Sequence, residues 1–141
     1  MTSRTLAKRI ANLALTKKAH DVILMDLRKI TSTADFFVVC SADSDTQVKA
    51  IADEIRDGAE VIGSPAWHYE GYQALSWVIL DFVDVVAHVF HRDARSFYKL
   101  ERLWGDADIS ELHDEDGLSE NKAPKRKRSS PSAARKKKTS R

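Results

Sequence analysis

Leu6, Ile10 and Leu13, interleaved with Ala7, Ala11 and Ala14, recur at helical spacing. The pattern predicts an amphipathic helix over residues 3–18, with Arg4, Lys8, Lys17 and Lys18 on or near its wet side. Two short runs follow, DVILMDL at 21–27 and DFFVVCS at 35–41. Both are rich in β-forming residues and too short for ordinary helices, so they read as strands. The polar RKITSTA between them is turn-like, with room for an edge strand. Helical spacing returns in SADSDTQVKAIADEIRDG, where Val48, Ile51, Ala52 and Ile55 form the apolar stripe. Ser44 or Asp45 can cap its start, and Gly58 is expected just beyond its end. GSPAW is a loop. LSWVIL and VVAHVF read as two more strands, joined at DFVD. A closing helix is predicted over residues 92–104, with Phe97, Leu100, Leu103 and Trp104 as its apolar side. The order α-β-β-α-β-β-α has too few helices for a doubly wound sheet. It fits an α/β fold with a single mixed sheet and flanking helices.

The stretch WVILDFVDVVAHVF is the most informative. If Phe82 and Val83 form a two-residue loop, Asp81 stands opposite Asp84, Ile79 opposite Val86, Trp77 opposite His88, and Leu75 opposite Phe90. Val78, Leu80, Val85, Ala87 and Val89 then share the other face. That face is uniformly aliphatic, which makes it the core side. Two-residue turns favour positive φ and hence Gly or Asn, so Val83 implies either a wider loop or a strained one.

Composition fits one domain with tails: 141 residues, 43% hydrophobic. The net charge of +2 conceals three zones. Residues 1–104 are balanced, with 13 Lys/Arg against 14 Asp/Glu. Residues 105–121 hold 7 carboxylates and no Lys or Arg, whereas residues 122–141 hold 10 Lys/Arg and no carboxylate. This zoning divides the chain into a folded domain at 1–105, an acidic linker at 106–121 and a disordered basic tail at 122–141. Cys40 is the only cysteine, which rules out an internal disulfide and fits a cytoplasmic setting. No signal-peptide pattern opens the chain, and no run approaches the roughly 18 apolar residues of a membrane helix.

The candidate chemistry divides into a few weighed readings. Asp81 and Asp84 are either solvated hairpin ends, which suits the turn propensity of Asp, or a metal or catalytic pair, for which no third ligand is evident. Trp77 and His88 are either packed core residues or an exposed aromatic platform for a protein partner. Glu70 and Gly71 lie beside the hairpin, and Gly71 permits a bulge or close backbone approach. His20, His68, His88, His91 and His113 show no zinc spacing, and no phosphate-binding or nucleophile-elbow motif is present. No catalytic residue, metal site or cofactor is therefore assigned. In the tail, Lys125, Arg126, Lys127, Arg128 and Arg135, Lys136, Lys137, Lys138 can attract nucleic-acid phosphates. Otherwise they solubilise the chain or fold back on the acidic segment.

Several pieces, in order, resemble the ribosomal silencing factor family, also called Iojap or RsfS. They are TADFFVVCSADS followed by QVKAIAD, the EG at 70–71, Trp77, LDFVDVVAHVF and FYKLERLW. The resemblance covers about residues 4–105. It implies a small α/β domain of nucleotidyltransferase-like topology that is not an enzyme. It also implies binding to the large ribosomal subunit through large-subunit ribosomal protein fourteen, which blocks joining of the small subunit and represses translation under nutrient limitation. Homodimers occur in some members. On this reading Glu70, Gly71, Trp77, Asp81, Asp84 and His88 form the partner-binding surface, with Trp77 as anchor and the tail adding contacts to rRNA. The rivals are an enzyme of nucleotidyltransferase type and an RNA-binding module acting through the tail. Ala42 and Val83 stand where the family usually has Gly.

Overall fold

Thr2 opens the first helix as its N-cap, its side chain accepting from the Thr5 N–H. The computed structural model describes residues 1–98, 107–112 and 121–122, with backbone alone for 96–98 and 121–122. The elements among them are α1 (Ser3–Thr16), β1 (His20–Asp26), β2 (Phe36–Ala42), α2 (Asp45–Val61), β3 (His68–Glu70), β4 (Trp77–Asp81), β5 (Val85–His91), α3 (Arg92–Tyr98), β6 (Asp108–Leu112) and β7 (Asn121–Lys122). The strands form one mixed sheet in the order β3-β4-β5-β2-β1-β6-β7. β2 and β5 run parallel at its centre, and the other neighbours are antiparallel. The predicted α/β class holds.

Ser44 caps α2, accepting from the Gln47 N–H at 3.1 Å. The Gln47 side chain then accepts from the Asp43 N–H and donates to the Lys17 and Lys18 carbonyls, tying the start of α2 to the end of α1. Val48, Ile51, Ala52 and Ile55 are fully buried, as their spacing predicts, and Ala59 joins them. Burying each of the larger ones contributes roughly 1.5–3 kcal/mol before entropy is counted.

The expected end of this helix is corrected. Gly58 lies inside α2, where a Cβ would stand 2.6 Å from a Leu13 methyl of α1, so it serves the close approach of the two helices. The stop is Gly63 at φ +86. Its N–H donates to the Glu60 carbonyl and the Ser64 N–H to the Ala59 carbonyl, the paired bonds that close a helix at a left-handed residue.

α1 and α2 cover one face of the sheet. Val78, Leu80, Val85, Ala87 and Val89 all lie in the main core there, as the alternation along the hairpin predicts. The predicted register is corrected by two residues: Trp77 pairs with Phe90, Ile79 with His88 and Asp81 with Val86. The cause is Phe82. It is buried in the main core, so the strand continues through it and the turn moves one position on, to Val83 and Asp84. A register change of two keeps every side chain on its face. Phe82 N–H donates to the Val85 carbonyl, Asp84 N–H to the Phe82 carbonyl, and Val83 sits between at φ +75. A β-branched residue in that region is strained by about 1–3 kcal/mol. The Asp81 carboxylate steadies the turn by accepting from the Val83 N–H at 2.8 Å.

Residues 108–112, within the segment whose charge reads as a linker, pair with β1, and Leu112 is buried in the main core. β7 pairs in turn with β6. The stretch 27–33 between β1 and β2 is a turn without strand structure. Of the predicted closing helix, Arg92–Tyr98 is helical. The side chain of Phe97, and Leu100, Leu103 and Trp104, lie outside the described residues, as do residues 123–141. Cys40 sits in the central strand β2, 1% exposed, its thiol pushed up to about 12 by burial.

Candidate protein-docking face

The face of the sheet turned away from α1 and α2 is laid out in rows. One row runs Glu70, Ile79, His88, Val39, Ile23, Glu111 across six strands. The next runs His68, Asp81, Val86, Phe37, Met25, Ile109. Its middle is a second, smaller core of Ile23, Met25, Leu27, Val39 and Phe90, with Phe37, Trp77 and Ile109 packed against it. At the β3–β4–β5 end the row members Ile79, Asp81 and Val86 are half-buried and His68 and Glu70 exposed, and Trp77, one pair further along β4, is half-buried too. Pleat parity places Glu70, Trp77, Asp81 and His88 on this one face. Asp84 lies at the turn, exposed, with its carbonyl accepting from the Asp35 and Phe36 N–H groups at 2.7 and 3.1 Å.

Trp77 and His88 do meet, though not as a directly opposed pair. The Trp77 indole N–H donates to His88 Nδ1 at 3.1 Å, and the indole stacks on Phe90 with centroids 5.0 Å apart. His88 is 5% exposed and lies edge-on to Phe37 at 4.5 Å. The expectation of His88 as part of an exposed platform is therefore corrected. It is a buried support that holds Trp77, because its strand position aims it into the second core. Burial lowers its pKa to about 3, so the ring is neutral. With Nδ1 accepting, Nε2 carries the proton, and it finds no acceptor among the described residues.

This fixes a pH dependence. Native His88 stays neutral while the unfolded chain gains a proton below about pH 6.5, so this contribution to stability is complete above that value and falls as pH drops toward 3. The expected loss between pH 7 and pH 5 is about 2 kcal/mol. Urea unfolding of wild type and of His88→Gln, which keeps an acceptor for the indole, checks this. Identical pH profiles for the two proteins would refute it.

Gly71 ends β3 at φ +98, and a Cβ there would meet the Trp77 carbonyl oxygen at 2.1 Å. The expected close backbone approach is thus present, and it is to the backbone of the tryptophan. His68 Nε2 lies 3.0 Å from a Glu70 carboxylate oxygen. The Asp81 carboxylate is occupied by the turn N–H, and no group of three or more potential metal ligands occurs among the described residues. No described helix is long and apolar enough to cross a membrane. Sequence reasoning missed Trp67, which stands exposed just before β3, its N–H donating to the Asp81 carbonyl. Its place in a short loop after Pro65 was the available signal. The tail residues Lys125, Arg126, Lys127, Arg128, Arg135, Lys136, Lys137 and Lys138 lie outside the described residues.

A family model described as "Ribosomal silencing factor during starvation" matches residues 1–141. The ribosomal silencing factor RsfS of Bacillus subtilis (strain 168) is 43% identical over 112 residues, spanning 79% of this chain and 95% of that protein. The chloroplastic protein Iojap of Zea mays is 34% identical over 108 residues, 77% of this chain and 47% of that one. Among solved structures, a crystal structure of a Chromobacterium violaceum protein superposes with a TM-score of 0.73 at 32% identity, covering 74% of this chain and 88% of that one. One from Bacillus halodurans gives 0.66 at 39% identity, covering 72% and 95%.

Proposed function

The chain belongs to the ribosomal silencing factor family, and from that premise we propose that it binds the large ribosomal subunit and blocks joining of the small one, repressing translation when nutrients are short. It acts by occupying a surface and not by catalysis, in the cytoplasm. The contact is to large-subunit ribosomal protein fourteen, through the β3–β4–β5 end of the second sheet face. Glu70, Trp77, Asp81 and Asp84 touch the partner. Gly71 and His88 shape the surface from below.

The observation that carries this reading is Trp77, a half-buried indole held in one orientation by His88 and Phe90. A large rigid side chain already fixed before binding loses little entropy on docking, which is the character of an interface anchor. The carboxylates of Glu70, Asp81 and Asp84 on the same hairpin region suit a basic ribosomal-protein surface. The 10 positive charges of residues 122–141 add a salt-dependent attraction to rRNA. The rival nucleotidyltransferase reading draws no support from Asp81, whose carboxylate holds the turn.

Sedimentation with separated ribosomal subunits tests the proposal. The protein is expected to pellet with large subunits and not with small ones, and to reduce the yield of joined ribosomes when added first. Failure to pellet with large subunits would remove the reading.

A further inference from the structure

Two apolar side chains project beside the turn end of the β4–β5 hairpin. Trp67 is 76% exposed and Val83 59%. Asp81 links them: its carbonyl accepts from the Trp67 N–H and its carboxylate from the Val83 N–H, both at 2.8 Å. Scattered exposed apolar residues are ordinary on any protein. These two differ in that both backbones are bonded to the same residue, Asp81. The Trp67 backbone is held to β4 by that bond, and its indole stands in water. Val83 keeps a branched side chain at φ +75, where glycine would sit without strain.

The charge beside Val83 is negative. Asp81 and Asp84 flank Val83, and Glu70 lies two residues beyond His68 on the same edge strand. An indole face, an aliphatic neighbour and carboxylates together match the head and stem of a lysine or arginine: cation–π attraction for the head, apolar contact for the stem, charge for steering.

We propose that Trp67 and Val83 form a second apolar contact of the docking surface, receiving lysine or arginine side chains of a basic protein. The proposal rests on the large-subunit reading above and adds residues to it. Here the strain at Val83 is retained for binding, so stability and affinity respond to it in opposite directions.

The test uses the full-length chain and isolated large subunits, with thermal unfolding measured in parallel. Trp67→Ala is expected to weaken pelleting about 10-fold with Tm unchanged, since the side chain packs little in the free protein. Val83→Gly is expected to raise Tm by roughly 5 °C and yet weaken binding about 3-fold or more. Binding of either variant at the wild-type level overturns the inference while leaving the docking face around Trp77 in place. Equal losses by the variants on naked large-subunit rRNA overturn it too, because the contact is then to nucleic acid. If wild type itself fails to pellet with large subunits, the parent reading fails and takes this one with it.

Discussion

Gly71→Ala is expected to lose about 3–5 kcal/mol of stability, seen as a fall in Tm of roughly 15 °C or more. Two effects combine. The residue sits at φ +98, which alone costs an L side chain about 1 kcal/mol. The added methyl also falls 2.1 Å from the Trp77 carbonyl oxygen and 3.0 Å from the Val78 Cα, both backbone atoms that cannot rotate away. Gly63→Ala separates the two effects. Gly63 has a similar φ of +86, but no atom lies within 4 Å of its would-be Cβ, so only about 1 kcal/mol should be lost there. Equal losses at the two glycines would show that the Trp77 contact contributes nothing. At Gly58 the neighbour is a flexible Leu13 side chain, and steric cost is offset by the better helix propensity of Ala.

These three glycines show what a sequence can and cannot convey. Each reads as punctuation, yet Gly63 alone ends a helix, while Gly58 answers to Leu13 on another helix and Gly71 to the backbone of Trp77 on the next strand. The apolar alternation in Val78, Leu80, Val85, Ala87 and Val89 was legible because a core face must be dry along its whole length. The register was not, because a slip of two leaves that alternation intact and only the burial of Phe82 decides between the options. β6 was hidden for another reason. Its carboxylates dominate the composition, and a strand near the sheet's margin needs only Ile109 and Leu112 to be apolar. In the candidate site, Trp77 and Gly71 were legible as types. The burial of His88 was not, since Phe37, from a strand remote in sequence, lies against its ring.

Trp77→Ala is expected to weaken large-subunit binding by 100-fold or more, the range of an anchoring aromatic at the centre of an interface. The same change removes the stack on Phe90 and the donor to His88 Nδ1, so it also costs about 3 kcal/mol of folding stability. Circular dichroism at the assay temperature establishes that the variant is folded, and Trp77→Phe gives a second control. Phenylalanine keeps the stack on Phe90 but not the N–H, so it should retain more stability and bind with intermediate affinity. Wild-type binding by Trp77→Ala would place the anchor elsewhere on the molecule. Loss of binding by a folded Trp77→Ala, with wild type bound, fits contact through this face.

The single thiol, lying at the middle of the central strand with its pKa pushed up to about 12, makes the protein its own chemical stopwatch. Alkylating reagents attack thiolate, and at neutral pH the native chain offers almost none, shielded by the helices over β2. Modification of Cys40 therefore counts openings of the sheet centre, and its rate reads the free energy of that opening without an added label. A bound partner that grips the β3–β4 edge and steadies the whole sheet would slow the labelling. One that clasps only the edge would leave the rate alone.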